Sequence, residues 1–391
     1  MASHRVLFIS NGAGEDAIAS QIIADLPESL PREAMPLVGE GSAYEGLAPV
    51  VGPRQPMPSG GLIQEDWRNL WKDIGGGLFS LTFRQIAWLR NQRSKFDQIV
   101  AVGDLWPVIL AILSGIRPIT FIGTAKSDYH HPYSALEALI LRTFQVHSIV
   151  RDEPTAESLR QKGVKAAWVG NAMMDGLIPQ NLDFSLDETK EVGLALFPGS
   201  RKATYQVLPR LLKLSQMLAK RLGKDICAFI AVAPSIDTEK LAQACSDFTL
   251  GDCPYPGWHT LTDKGEANAP RARFFLIKGH LADVLQYSQV ALGLAGTAHE
   301  QAAGWGIPVV AYEPGGMSHL KWYRARQKGL LGDSLIVSED RDADIVEALC
   351  NLVQDKAERQ RRAEVGRKRL GPPGGSERMA AIIAEACQQP S

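Results

Sequence analysis

Short apolar runs recur along the chain, each followed by a longer stretch whose apolar residues fall three and four apart. This switching between a strand-like and a helix-like period predicts parallel sheets with crossover helices. The runs form two series. The first predicts strands at Val6–Ser10, Ile99–Val102, Thr120–Ile122, Ser148–Val150 and Ala167–Val169. The second predicts Gly193–Phe197, Ala228–Ala233, Phe274–Ile277, Val290–Leu294 and Val309–Tyr312. Several runs are apolar without alternation, as expected for sheets covered on both faces. Met173–Val192, with Gly176, Pro179 and an acidic run, is expected to be an interdomain linker. Ser246–Arg273, rich in Gly, Pro and polar residues, is expected to be a long loop. A final helix should start near Ser376, after the breaker that begins at Gly371. The expected organisation is a first domain over 1–172, a second over 193–375, and a helix over 376–391 returning to the first.

The 391 residues suit two domains, and 45% apolar content supplies two cores. A net charge of -1 gives no global attraction to nucleic acid, so any anion binding must be local. Five scattered cysteines without a C-x-x-C pair argue against a disulfide framework or a zinc site, and suit a reducing compartment. The apolar run after Met1 is too short for a signal peptide and reads as a strand. Pro107–Gly123 is cut by Gly115, Arg117 and Pro118, too broken for a membrane span of about 20 residues. A cytoplasmic protein is expected, with at most a peripheral contact to the cytoplasmic face of a membrane. Leu62–Phe96 is the segment suited to that contact. Trp67, Leu70, Trp71 and Ile74 form a helical stripe that Phe79, Phe83 and Ile86 continue, with Trp88 nearby and an excess of Arg and Lys. Packing of the same stripe on the first domain is the competing reading.

Three glycine-rich turns join a strand to a helix, where free backbone N–H groups can meet a ligand. Ser10–Asp16 holds Gly12 and Gly14, and its acids Glu15 and Asp16 suit hydroxyl groups better than phosphates. Phe197–Arg201 holds Gly199 and Ser200 before Arg201, whose guanidinium can fork onto a phosphate. Leu294–Val310 holds Gly296 and Thr297, then His299, Glu300 and Gln301. A carboxylate at Glu300 could take both hydroxyls of a ribose, or simply complement the helix dipole. The second and third turns follow strands at the end where open α/β sheets bind ligands.

These residues resemble the lipid-A-disaccharide synthase branch of the GT-B glycosyltransferases, closest to the related proteins of cyanobacteria. Phe197–Arg201 is similar to that family's P-G-S-R turn, and Leu294–Val310 to its S-G-T-A…E…P-x-V-V stretch. Val169–Asp175 resembles V-G-H-P-x-x-D, with Asn171 and Ala172 in place of His-Pro. Val100–Gly115 resembles the segment carrying the family's catalytic aspartate, here Asp104. Lys278, Gly279 and His280 resemble the nucleobase-binding turn.

The resemblance implies two Rossmann-like domains facing a cleft and transfer of a sugar from a UDP-sugar co-substrate, without metal or other cofactor. The donor side would comprise Asn171, Gly199, Ser200, Arg201, Lys278, Gly279, His280, Gly296, Thr297, His299, Glu300 and Gln301. A lipid-linked or amphiphilic acceptor would meet Gly12, Gly14, Glu15, Asp16 and Trp106, with Asp104 as general base. The ribose acid of the family aligns with Gln301, one residue after Glu300. Two rivals stand beside this reading: a sugar nucleotide 2-epimerase of the same fold, and a non-catalytic nucleotide-sugar or lipid-binding protein. A nicotinamide dehydrogenase is disfavoured, because no G-x-G-x-x-G follows the first strand. Asp340, Asp342 and Asp344 mimic a D-x-D metal site but are expected to cap a helix. His130 and His131 are weaker candidates for substrate contact.

Overall fold

The apolar runs become buried strands because parallel ladders covered by helices leave neither face to water. The computed structural model describes residues 4–55, 78–184, 186–187, 190–200, 203–253, 255, 258–263, 272–315 and 319–387. The chain divides into two compact units, residues 1–176 with 372–391, and residues 177–371. Both are helix-covered α/β units of the Rossmann type.

Unit 1 holds six parallel strands in the order β2-β1-β3-β4-β5-β6. They are β1 Val6–Ser10, β2 Arg32–Pro36, β3 Gln98–Gly103, β4 Ile119–Gly123, β5 His147–Val150 and β6 Ala166–Ala167. β6 stops at Ala167, short of the expected Val169. The helix Gly375–Ala386 completes this unit, burying Met379, Ala380 and Ile383 with Ile22 and Ile23. Its start is fixed by Asp175, whose carboxylate accepts from the Gly374 and Ser376 N–H groups at 2.5 and 2.6 Å. The helix Leu78–Asn91 lies in the described part of the aromatic segment. Trp67, Leu70, Trp71 and Ile74 lie outside the described residues. The helix buries Leu81, Gln85 and Leu89, whereas Phe83 is 70% exposed. Phe83 therefore points outward, whereas Ile86 and Trp88 are partly buried against the core of unit 1.

Among the described residues unit 2 holds eight strands in the order β14-β13-β12-β7-β8-β11-β10-β9. They are β7 Glu191–Phe197, β8 Asp225–Val232, β9 Phe248–Asp252, β10 His259–Asp263, β11 Ala272–Lys278, β12 Val290–Gly293, β13 Val309–Tyr312 and β14 Leu335–Ser338. β9 and β10 form an antiparallel extension of the edge, correcting the expected long loop over Ser246–Arg273. Among the described residues of β9 and β10, only Phe248 and Leu261 bury apolar side chains, so the alternation is thin. The helix Thr204–Leu222 shows the opposite case. Val207, Leu208, Leu211, Leu212, Leu214 and Leu218 bury one face against the sheet, at helical spacing.

Candidate functional site

Each sheet grows outward from its first strand in one direction and then reverses. In unit 2 the reversal falls between β7 and β12, which pair side by side although β8 to β11 separate them in sequence. At such a switch point the two following loops leave in opposite directions and open a crevice at the carboxyl ends of the strands. Gly293 makes the approach possible, since a Cβ there would run into the Phe197 carbonyl. The Leu294 N–H then donates to that carbonyl at 2.9 Å. Gly199 and Ser200 on one loop and Gly296 and Thr297 on the other thus follow the carboxyl ends of neighbouring strands. Ser200 and Thr297 are exposed.

The helix Thr297–Trp305 begins at Gly296 with no side-chain cap. Its first N–H groups are therefore offered to whatever binds there, with the positive end of the helix dipole behind them. Glu300 lies in the first turn, and both Glu300 and Gln301 are half-buried. The Lys278–His280 turn leaves the same end of the sheet from β11, the neighbour of β8. Lys278 Nζ donates to the Ile236 carbonyl at 3.2 Å. His280 meets the Trp258 ring edge-on at 4.9 Å and lies 3.6 Å from the buried carboxylate of Asp283. Arg201 lies outside the described residues.

In unit 1 the reversal falls between β1 and β3. Asp104, immediately after β3, caps the helix Leu105–Ser114 by accepting from the Trp106 N–H at 2.9 Å. The same oxygen accepts from Asn11 Nδ2, on the loop after β1, at 3.1 Å. Gly103 has φ +134, and a side chain there would press on Asn11 and Glu15. Four residues therefore converge on one rim: Asn11, Glu15, Gly103 and Asp104. Burial raises the proton affinity of Asp104, with the Glu137 charge adding to it. Burial likewise raises that of Glu15, and the Asp104 charge adds to it. A carboxylate held above its ordinary range is the kind that takes a proton from substrate near neutral pH. Gly12 and Gly14 flank the loop, and Trp106 is 38% exposed beside Asp104.

Three site candidates turn out to be structural. Asp16, on the same helix as Glu15, points into the core, where it is 4% exposed. Ser10 Oγ donates to it at 2.5 Å and also lies 2.5 Å from the Tyr44 hydroxyl. His299 is 0% exposed. Its Nδ1 lies 3.1 Å from Gln327 Oε1 and 3.2 Å from Arg324 Nη1, and burial pushes its pKa down to about 3. It is therefore neutral and closed off from solvent. Asn171 belongs to unit 1, where its side chain caps the short turn Ala172–Met174 and its backbone packs against Gly375. The motif Val169–Asp175 receives the returning C-terminal helix.

The D-x-D pattern is likewise accounted for. Arg210 pairs with Asp340 at 2.5 Å and Asp342 at 2.8 Å, while Asp344 pairs with Arg341. Asp342 and Asp344 lie in the first turn of the helix Asp342–Gln354, where acids complement its dipole, although the cap position itself is Arg341, and Asp340 also accepts from the Gly315 N–H at 2.8 Å. His131 forms a backbone bridge with Ser127. Sequence reasoning missed Asn11 and the buried Arg324–Gln327 pair. Asn11 could have been noticed as a polar residue just before the first glycine.

Asp16 carries a pH signature. Burial raises its pKa from 3.8 to about 6, against the hydrogen bonds from Ser10 and Tyr44. The folded protein then binds more protons than the unfolded chain between these values, so Asp16 lowers stability as pH rises through about 4–6. Asp16→Asn keeps an acceptor for Ser10 without the charge. It should be at least as stable as the parent at pH 7.5, and the decline over that window should flatten in thermal melts at stepped pH. An unchanged pH profile would remove Asp16 as its source.

No protein-family model matches the sequence, and no curated protein matches it significantly. Solved structures do match over essentially the whole chain. UDP-GlcNAc 2-epimerase from Neisseria meningitidis, bound to UDP-GlcNAc, gives a TM-score of 0.58 at 12% identity, covering 98% of this chain and 99% of that one. MurG from Acinetobacter baumannii gives 0.56 at 15% identity, covering 98% and 99%. CalG4, the calicheamicin glycosyltransferase, gives 0.56 at 15% identity, covering 100% and 99%. At these identities the likeness establishes the fold, which is the GT-B architecture.

Proposed function

We propose that the chain is a glycosyltransferase that moves a sugar from a UDP-sugar to a hydroxyl of a lipid-linked or amphiphilic acceptor. The observation that carries this reading is the pair of chemically different rims at the two switch points. Unit 2 offers glycine turns and an uncapped helix N-terminus, the chemistry that suits a diphosphate. Unit 1 offers a carboxylate of raised proton affinity, the chemistry that suits a reacting hydroxyl. In the reaction the acceptor oxygen attacks the anomeric carbon, its proton passes to Asp104, and the bond from that carbon to the diphosphate oxygen breaks. The charge left on UDP is met by the first-turn N–H groups of Thr297–Trp305 and by Arg201, so the chemistry requires no metal. Support for UDP comes from the fold likeness to an epimerase bound to UDP-GlcNAc. The family resemblance at Phe197–Arg201 and Leu294–Val310 supports the nucleotide-sugar donor, and the family as a whole suggests a lipid-linked or amphiphilic acceptor.

Unit 1 also presents Phe83, Leu136 and Leu139 at 70, 67 and 47% exposure. Among the described residues no helix is long and apolar enough to cross a membrane. Peripheral contact with the cytoplasmic face through 62–96 is part of the same proposal. A 2-epimerase is the second reading. It is favoured by the two acids, Glu15 and Asp104, on one rim and by the epimerases that share the fold. The test is a partition assay with UDP-sugar labelled in the sugar and a lipid extract. Label should enter the organic phase only when both protein and extract are present, and retention of all label in water would sink the proposal.

A further inference from the structure

The interior of unit 2 holds a charged group that the proposed transfer does not use. Arg324, on the helix His319–Leu331, is 0% exposed. Its Nη1 donates to Gln327 Oε1 and lies 3.2 Å from His299 Nδ1. Among the described residues its Nε and Nη2 meet no acceptor. Neither partner is a carboxylate, and neutral His299 adds no charge. Burial lowers the proton affinity of Arg324, against pulls from Tyr323, Glu313 and Tyr312, none of them at hydrogen-bond distance from its unpartnered nitrogens. A guanidinium does not escape by deprotonation, so the cluster carries a full positive charge in the core. Burying a charge without a paired partner is costly unless something compensates it.

The surroundings of Arg324 indicate where compensation would come from. Gln327 Nε2 donates to the Ala295 and Gly296 carbonyls at 3.3 and 3.1 Å. The Tyr323 hydroxyl lies against Gly296, where any side chain would collide with it. Residues 323, 324 and 327 thus back the turn Leu294–Thr297, and the guanidinium reaches His299 in the first turn of the helix that follows. The buried cation therefore lies behind the turn that opens the uncapped helix.

We propose that Arg324 is the buried counter-charge for a diphosphate bound at the Leu294–Thr297 turn. The inference rests on the donor site proposed for unit 2. Arg324 is not a catalytic residue, since it is sealed behind the turn and works through its field and through Gln327. A unit charge one layer of atoms behind a diphosphate changes its affinity by roughly 10–100-fold at the effective dielectric of a protein interior. An uncharged nucleoside feels none of this.

The experiment is calorimetry of UDP, inorganic pyrophosphate and uridine on the wild type, Arg324→Gln and Arg324→Lys, with a melting curve for each. Gln keeps a hydrogen-bonding side chain and removes the charge; Lys keeps the charge. Arg324→Gln should bind UDP and pyrophosphate roughly 10–100-fold more weakly, bind uridine as the wild type does, and melt no lower. Arg324→Lys should stay within about threefold of the wild type for all three, because the charge at issue is preserved. Unchanged UDP affinity in Arg324→Gln overturns the inference while the donor site stands. Equal losses in both variants with lower melting points, or a Gln variant that does not fold, assign Arg324 to packing and overturn it too. A wild type that binds pyrophosphate but not UDP, with the Gln variant weakened, sinks the nucleotide reading and keeps the counter-charge.

Discussion

Asp104→Asn should melt where the parent melts, bind UDP as the parent does, and transfer sugar about 10²–10⁴-fold more slowly. Asp104 has a structural job, and the proposed transfer gives it a chemical one; this substitution separates the two. Its structural job is the cap: one oxygen accepts from the Trp106 N–H and from Asn11 Nδ2. An Asn side chain keeps an oxygen for both bonds and is as good an N-cap, whereas Ala would cost about 0.5–2 kcal/mol. Its chemical job needs a group that binds a proton, and an amide does not at neutral pH. The parent's transfer rate should accordingly rise with pH through a pKa above the ordinary carboxylate value, in the direction that burial and Glu137 push it. That limb should vanish in the Asn variant. Near-normal turnover would confine Asp104 to capping and move the search for the base to Glu15 on the same rim.

Arg201→Ala should weaken UDP binding by about 1.5–3 kcal/mol, the scale of a hydrogen bond to a charged group. Arg201 follows the Gly199-Ser200 turn that the fold sets at the unit 2 switch point. A guanidinium there can address two phosphate oxygens at once, a geometry Lys does not reproduce. Arg201→Lys should therefore recover only part of the loss. Uridine affinity should be untouched in both variants. Equal UDP affinity in wild type and Arg201→Ala, with both folded, would take Arg201 out of the site.

The strands that sequence revealed were those whose apolar runs are continuous, because burial on both faces leaves no room for polar residues. β2 was missed at a sheet edge, where Arg32 and Glu33 dilute the pattern. β9 and β10 were missed because few of their residues face the core. The glycine turns were legible since close approach excludes side chains, as at Gly293 and Gly103. Which side chains enter a turn was not legible. Residues 299 and 300 are adjacent in sequence but about 100° apart around a helix, so His299 faces the core while Glu300 stays half-buried. Asn11 and Asp104 are far apart in sequence and meet only because β1 and β3 pair. Arg324 and Gln327 lie in a polar helix whose inward face no apolar stripe marks.

The most direct measurement follows a UDP-sugar by proton NMR in the presence of the purified protein, first alone and then with the lipid acceptor fraction. A transferase leaves the stereochemistry of the sugar at C2 unchanged in the first stage and releases UDP in step with sugar appearing on lipid in the second. Inversion at C2 with no acceptor present would contradict the account and establish the epimerase reading.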